Sequence, residues 1–279
     1  MTAETRRFPP KIILAATDLS PASFSALKYA GLLAEEFDSE LRLIHSHPYE
    51  RPPFFPMHQK DWMRAIKKAH EAAAAAVSAE AERLLGARPK LHIGPMPPAQ
   101  AILQEAEKLD ADLIVLGTHG RHGVSRLILG SIAEKVIRTS ARPVLAVQPD
   151  VKIEGFERVL CPVGAGKTSL QALVYAAALA KACGARLTVL ESSKNRPPAA
   201  WFKTAGLEEV ELEKLCHEGD PAENILLACA EHDANLLVMG SRTRASRVGP
   251  LFSEVTQHVM RLAPIPLIVV PRLSGTRKP

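Results

Sequence analysis

The chain has 279 residues, 47% of them apolar and 23% charged, with a net charge of +5. That length suits two average domains rather than one and leaves ample material for a core, and no apolar run approaches the ~20 residues a membrane-spanning helix needs. The basic residues are spread over both halves, and three Tyr and two Trp offer little surface for stacking bases, so neither a membrane nor a nucleic acid is an expected partner.

The N-terminus is polar, and the first apolar stretch, 12–17, ends at Asp18. It is too short for a signal peptide, so a cytoplasmic location is expected. Short aliphatic runs then alternate with helical patterns, the signature of βαβ units around a parallel sheet. Strands are expected at 11–17, 41–45, 90–93, 113–116 and 144–147, with helices at 21–37, 58–86, 97–109 and 130–140. A second set of strands is expected at 158–163, 186–190, 210–215, 236–239 and 267–270. All are continuous and aliphatic, as strands covered on both faces should be. The four cysteines, Cys161, Cys183, Cys216 and Cys229, are widely spaced without a CxxC pair. They are expected to be buried free thiols rather than disulfides or zinc ligands.

The second set repeats the first. Ala26-Leu27-Lys28-Tyr29-Ala30 returns 146 positions later as Ala172-Leu173-Val174-Tyr175-Ala176. Asp110-Ala111-Asp112-Leu113-Ile114-Val115-Leu116-Gly117 returns 123 positions later as Asp233-Ala234-Asn235-Leu236-Leu237-Val238-Met239-Gly240. The fold class that follows is α/β: two tandem doubly wound Rossmann-like domains, 1–149 and 150–279, each with a five-stranded, mostly parallel sheet. The shorter second offset means that the second copy lacks 23 residues, the room taken by the long alanine-rich helix of the first. Its strands stay aliphatic, so something must replace that helix. The local segment 197–207, with Trp201 and Phe202, looks too short to cover a sheet face. Capping by material from the first copy is the expectation, and an apolar cavity open to a lipid-like ligand is the alternative.

After the fourth strand comes Gly117-Thr118-His119-Gly120-Arg121-His122-Gly123, and then Gly130-Ser131 opening a helix. Glycines let a backbone approach a phosphate closely, and helix-terminal N–H groups bind anions. The Ser131 hydroxyl adds a donor and Arg121 a charge. A strand, a glycine-rich loop and a helix start in that order form an anion cradle at the carboxyl end of the sheet, where open α/β sheets place ligands.

The spacing Gly117-x2-Gly120-x9-Gly130-Ser131 resembles the ATP-binding signature of the universal stress protein family. The opening strand leading to Asp18 and Ser20, and the Ala-Asp-Leu-Ile-Val run before the loop, are similar to it too, and the resemblance spans 10–148 and 157–271. It implies that ATP, with or without Mg, is the ligand. Asp18 would contact the adenine, the backbone at Ser46 would meet the base, and Gly117, Gly120, Gly130 and Ser131 would hold ribose and phosphates. His119 and Arg121 add hydrogen bonding and charge within the same loop. A turn or helix cap is the other role open to Asp18. The resemblance implies a cytoplasmic stress-response protein, a nucleotide-dependent binding or signalling module. Slow ATP hydrolysis is the alternative, kept open by His119, Arg121 and His122. In the family the last strand commonly pairs across a dimer interface, which a tandem chain can satisfy internally as a pseudo-dimer; a homodimer also stays open.

The second copy departs from this pattern at each contact. Asp18 aligns with Gly164, Gly120 with Thr243, Gly130 with Ser253 and Ser131 with Glu254. A carboxylate at Glu254 repels a phosphate, so one nucleotide per chain is expected. Gly164-Ala165-Gly166-Lys167-Thr168 mimics the tail of a Walker A loop, but Cys161 stands where that motif needs glycine. The histidines His45, His47, His58, His119 and His122 have no metal-ligand spacing and suit hydrogen bonding to nucleotide or solvent. The alanine run 72–77 reads as part of a helix packed on the sheet rather than on a membrane surface.

Overall fold

The structure, a computed structural model, describes residues 8–46, 58–118, 129–149, 151–152, 155–241, 243–244 and 251–272. The first half runs β1 (Ile12–Ala16), α1 (Pro21–Glu36), β2 (Glu40–Ser46), α2 (Gln59–Leu85), β3 (Lys90–Gly94), α3 (Pro98–Lys108), β4 (Leu113–Gly117), α4 (Ser131–Thr139) and β5 (Val144–Val147). The second runs β6 (Arg158–Val163), α5 (Lys167–Cys183), β7 (Arg186–Ser192), α6 (Ala200–Thr204), β8 (Leu212–His217), α7 (Pro221–Glu231), β9 (Leu236–Gly240), β10 (Thr243–Arg244), β11 (Leu251–Phe252), α8 (Glu254–Leu262) and β12 (Leu267–Val270).

Ten strands form one sheet in the order β3-β2-β1-β4-β5-β12-β9-β6-β7-β8. The two five-stranded arrays expected from the repeat are therefore continuous with each other. Within each array the strands are parallel, and the seam is antiparallel, with Val144, Leu145 and Ala146 of β5 opposite Val269, Ile268 and Leu267 of β12. The small β10–β11 pair, antiparallel and separate from this sheet, was not expected.

Alternate residues of each strand feed two cores. Ile13, Ala15, Ile268 and Val270 join one with α1, α2 and α5; Leu14, Leu267 and Val269 join the other with α3, α4, α7 and α8. Burial on both faces is why these strands read as unbroken aliphatic runs. The repeated Asp-Ala-Asp/Asn sequence has a structural cause. Asp110 and Asp233 take left-handed φ of 51° and 47°, a conformation that short polar side chains tolerate. The Asp112 carboxylate accepts from the N–H groups of Lys11 and Ile12 at 2.8 and 3.1 Å. In the repeat, the Asn235 side-chain oxygen accepts from Glu157 and Arg158.

The expectation that 197–207 is too short to cover the sheet is corrected. Trp201 and Phe202 of α6 pack into the first core, Ala205 and Leu207 are buried there, and the Lys214 ammonium lies 3.6 Å from the Phe202 ring centroid. The two aromatic rings pack against the core that α2 reaches through its buried residues Val77 and Ala81. The first half contributes Phe8, edge-on to Tyr175 at 5.4 Å. The linker reciprocates, with Phe156 stacked on Tyr29 at 5.9 Å and the Tyr29 hydroxyl donating to the Lys152 carbonyl at 2.9 Å.

Two further expectations change. The third strand of the second half begins at Leu212 rather than 210, because Val210 closes a turn onto the Leu207 carbonyl and packs against the core. Cys161 and Cys229 are buried as expected, whereas Cys183 is half-buried and Cys216 exposed. Burial pushes the Cys229 thiol up to about 12. No helix among the described residues is long and apolar enough to cross a membrane.

Candidate functional site

In the order β3-β2-β1-β4-β5, the chain winds outward in both directions from the β1–β4 pair. The helices after these strands diverge to opposite faces and leave a crevice at the carboxyl ends. Asp18 lies just beyond β1, Ser46 ends β2, Gly117 ends β4, and Gly130-Ser131 begins α4. The strand pairings β2–β1 and β1–β4 place them along one edge of the sheet. His119, Gly120 and Arg121, with His47 and His122, lie outside the described residues.

The turn after β1 is built from its own side chains. Leu19 takes a φ of 65°, held by its N–H donating to the Thr17 hydroxyl at 3.1 Å. The Ser20 N–H donates to the Asp18 carboxylate at 3.0 Å. The Ser20 hydroxyl in turn accepts from the Ser23 N–H and caps α1, with Pro21 in the first turn. Ser20, not Asp18, is the cap; Asp18 shapes the entry turn and stays half-buried at the strand end. His45 is a buried brace, its Nδ1–H donating to the Thr17 carbonyl at 2.8 Å. The Ser46 hydroxyl donates to the Met96 carbonyl.

Gly117 has a structural reason to be glycine besides any approach to a phosphate. A β-carbon there would stand 2.7 Å from the Ala22 carbonyl carbon and 2.9 Å from the Ser23 nitrogen, both backbone of the first turn of α1. Gly240 repeats this, with the Thr168 carbonyl oxygen 2.3 Å from the same point. Both glycines let the first helix of their half press against the central strand, so both copies keep them. Gly240→Ala is expected to lower stability by about 2 kcal/mol, since helix backbone cannot rotate away as a side chain can; chemical denaturation checks this.

The Gly130 N–H donates to the Thr118 carbonyl at 2.7 Å, which brings the start of α4 back beside the end of β4. Gly130 occupies the cap position of α4 without any side-chain cap. The N–H groups of the first turn therefore lack intrahelical partners, an arrangement that attracts anions. In the second half, the Ser253 hydroxyl accepts from the Thr256 N–H and caps α8, and Glu254 is the first helical residue. Among the described residues, one helix start leaves its donors open, while the other uses one internally and adds a negative charge.

A cavity of about 150 Å³ opens in the second half at the carboxyl ends of β6, β7 and β9, rather than on the sheet face where the missing helix raised the expectation of an apolar one. A signal was present in the alignment of Asp18 with Gly164. A side chain is deleted at the strand end, and Asn195 comes within 2.6 Å of the place a β-carbon would take.

The universal stress protein family model matches residues 10–148 and 200–271. The universal stress protein MJ0531 of Methanocaldococcus jannaschii is 36% identical over 153 residues, which is 51% of this chain and 84% of that protein. A universal stress protein from Archaeoglobus fulgidus has the same fold, with a TM-score of 0.76 over 95% of this chain and 100% of its own at 24% identity. A universal stress protein solved in complex with cAMP aligns with half of this chain and 98% of its own, at 22% identity and a TM-score of 0.38.

Proposed function

Starting from the chain's membership of the universal stress protein family, we propose that it is a cytoplasmic stress-response protein that binds one ATP in a domain formed by 1–149, with 150–279 as a second domain that does not. The observation that carries this reading is the contrast between the uncapped start of α4 and the capped, acidic start of α8. In this assignment Asp18 accepts from the adenine amino group and the Ser46 backbone pairs with the base edge, a donor–acceptor combination suited to adenine. The first-turn N–H groups at Gly130-Ser131 hold phosphate, with the Ser131 hydroxyl as a further donor. His119, Gly120 and Arg121 are assigned hydrogen bonding and charge toward the phosphates, with or without Mg. The protein acts as a binding module whose conformation reports the nucleotide.

Calorimetric titration of the full chain is expected to give one ATP per chain, with cAMP, the ligand named for one relative, as the comparison nucleotide. Two sites of equal affinity would overturn the assignment to one half. Chromatography of the nucleotide after prolonged incubation is expected to return ATP; ADP formed in step with protein concentration would make the chain an ATPase instead.

A further inference from the structure

The cavity in the second half lies at the carboxyl ends of β6, β7 and β9, at the β6–β9 pair from which that array winds outward. Its volume, about 150 Å³, matches an engineered cavity that takes up a benzene ring. Val163, Leu190, Ile225 and Met239 give it an apolar wall, and Glu191, Ser192, Asn195 and His217 a polar one. The β7–β8 register sets Ser192 beside His217 and Glu191 beside Cys216. Among the described residues, none of those four polar side chains makes a hydrogen bond or ion pair with the protein, although all are half-buried.

A half-buried carboxylate with unused acceptor capacity favours a ligand bearing N–H donors. A triphosphate is disfavoured. Glu191 is the one charged side chain among the described residues of the wall, which include no Lys or Arg. The adjoining α8 start spends a backbone donor on Ser253 and carries Glu254. The volume admits one or two fused rings.

We propose that this cavity binds an uncharged, one- or two-ring heteroaromatic molecule bearing N–H donors and no phosphate, with its ring between Leu190, Ile225 and Met239 and its donors on Glu191. The site is separate from the proposed nucleotide site and does not depend on it. Asn195, whose amide stands where a side chain on Gly164 would begin, and His217 fix the ring edge.

Adenine is a suitable probe, titrated calorimetrically into the full chain with and without saturating ATP. With saturating ATP present to fill the first-half site, saturable binding of one adenine is expected. Ile225→Trp, which fills the cavity from α7, is expected to weaken it roughly tenfold or more. Glu191→Gln, which keeps the shape and removes the charged acceptor, is expected to weaken it several-fold and guards against a misfolded tryptophan variant. The absence of saturable adenine binding under saturating ATP, or its indifference to both substitutions, would overturn the proposal. Failure of the nucleotide reading would be recognised separately, as the absence of ATP heat in the same protein.

Discussion

Expressed without residues 1–149, the second half is expected to self-associate and to bind an apolar dye. In the whole chain β12 is an interior strand, hydrogen-bonded to β9 on one side and β5 on the other. Its sequence Leu267-Ile268-Val269-Val270 has no charge and no proline, and all four residues are buried. Removing β5 converts it into a bare aliphatic edge, the feature that templates pairing between chains. The same cut uncovers Phe156, which stacks on Tyr29, and removes Phe8 from Tyr175. The first core, which runs unbroken from Ile13 to Val270 through both halves, loses one of its sides. At roughly 25 cal/mol per Å² of exposed apolar surface, a few hundred Å² equals a typical domain's whole margin of stability. Size-exclusion chromatography and dye fluorescence measure the outcome. A soluble, monomeric fragment without dye binding would mean that the seam is dispensable.

Gly130→Glu is expected to weaken ATP binding by at least ~2–3 kcal/mol, on the order of a hundredfold. Position 130 has a φ of −60° and a ψ of 138°, which any residue adopts, so the backbone accepts glutamate without strain. What changes is the charge at the start of α4, which comes to resemble the α8 start with its Glu254. Thermal melting is expected to move little, since a glutamate at this half-buried helix start is compatible with the helix dipole. Calorimetry separates the two effects. Unchanged ATP affinity in a folded variant would show that the phosphates do not sit at Gly130-Ser131.

Much of the fold was legible because its determinants are local. Runs such as Leu113-Ile114-Val115-Leu116 are aliphatic without interruption, a pattern set by burial on both faces of one strand. The helix limits have local causes too, Ser20-Pro21 at the start of α1 and Gly86 and Gly184, each left-handed, after α2 and α5. The candidate site was legible as a set of positions at strand ends. The causes of its residues were not. Gly117 carries a phosphate-loop spacing, yet its own requirement is the backbone of Ala22 and Ser23, which arrives through space. Asp18 could be a cap or a ligand by sequence, and only the geometry assigned the cap to Ser20.

The sequence by itself determined the βαβ repeat, the ten strands of the main sheet, and the inequality of the two helix starts, since each depends on residue types within one or two turns of chain. Tertiary structure decided the rest. It joined β5 to β12 so that both halves share two cores, and used Trp201 and Phe202 in place of a whole helix. It left Cys216 outside, and opened a cavity beside Gly164. Each of these turns on side chains from segments far apart in the chain competing for the same volume, and periodicity along a sequence carries no record of who fills it.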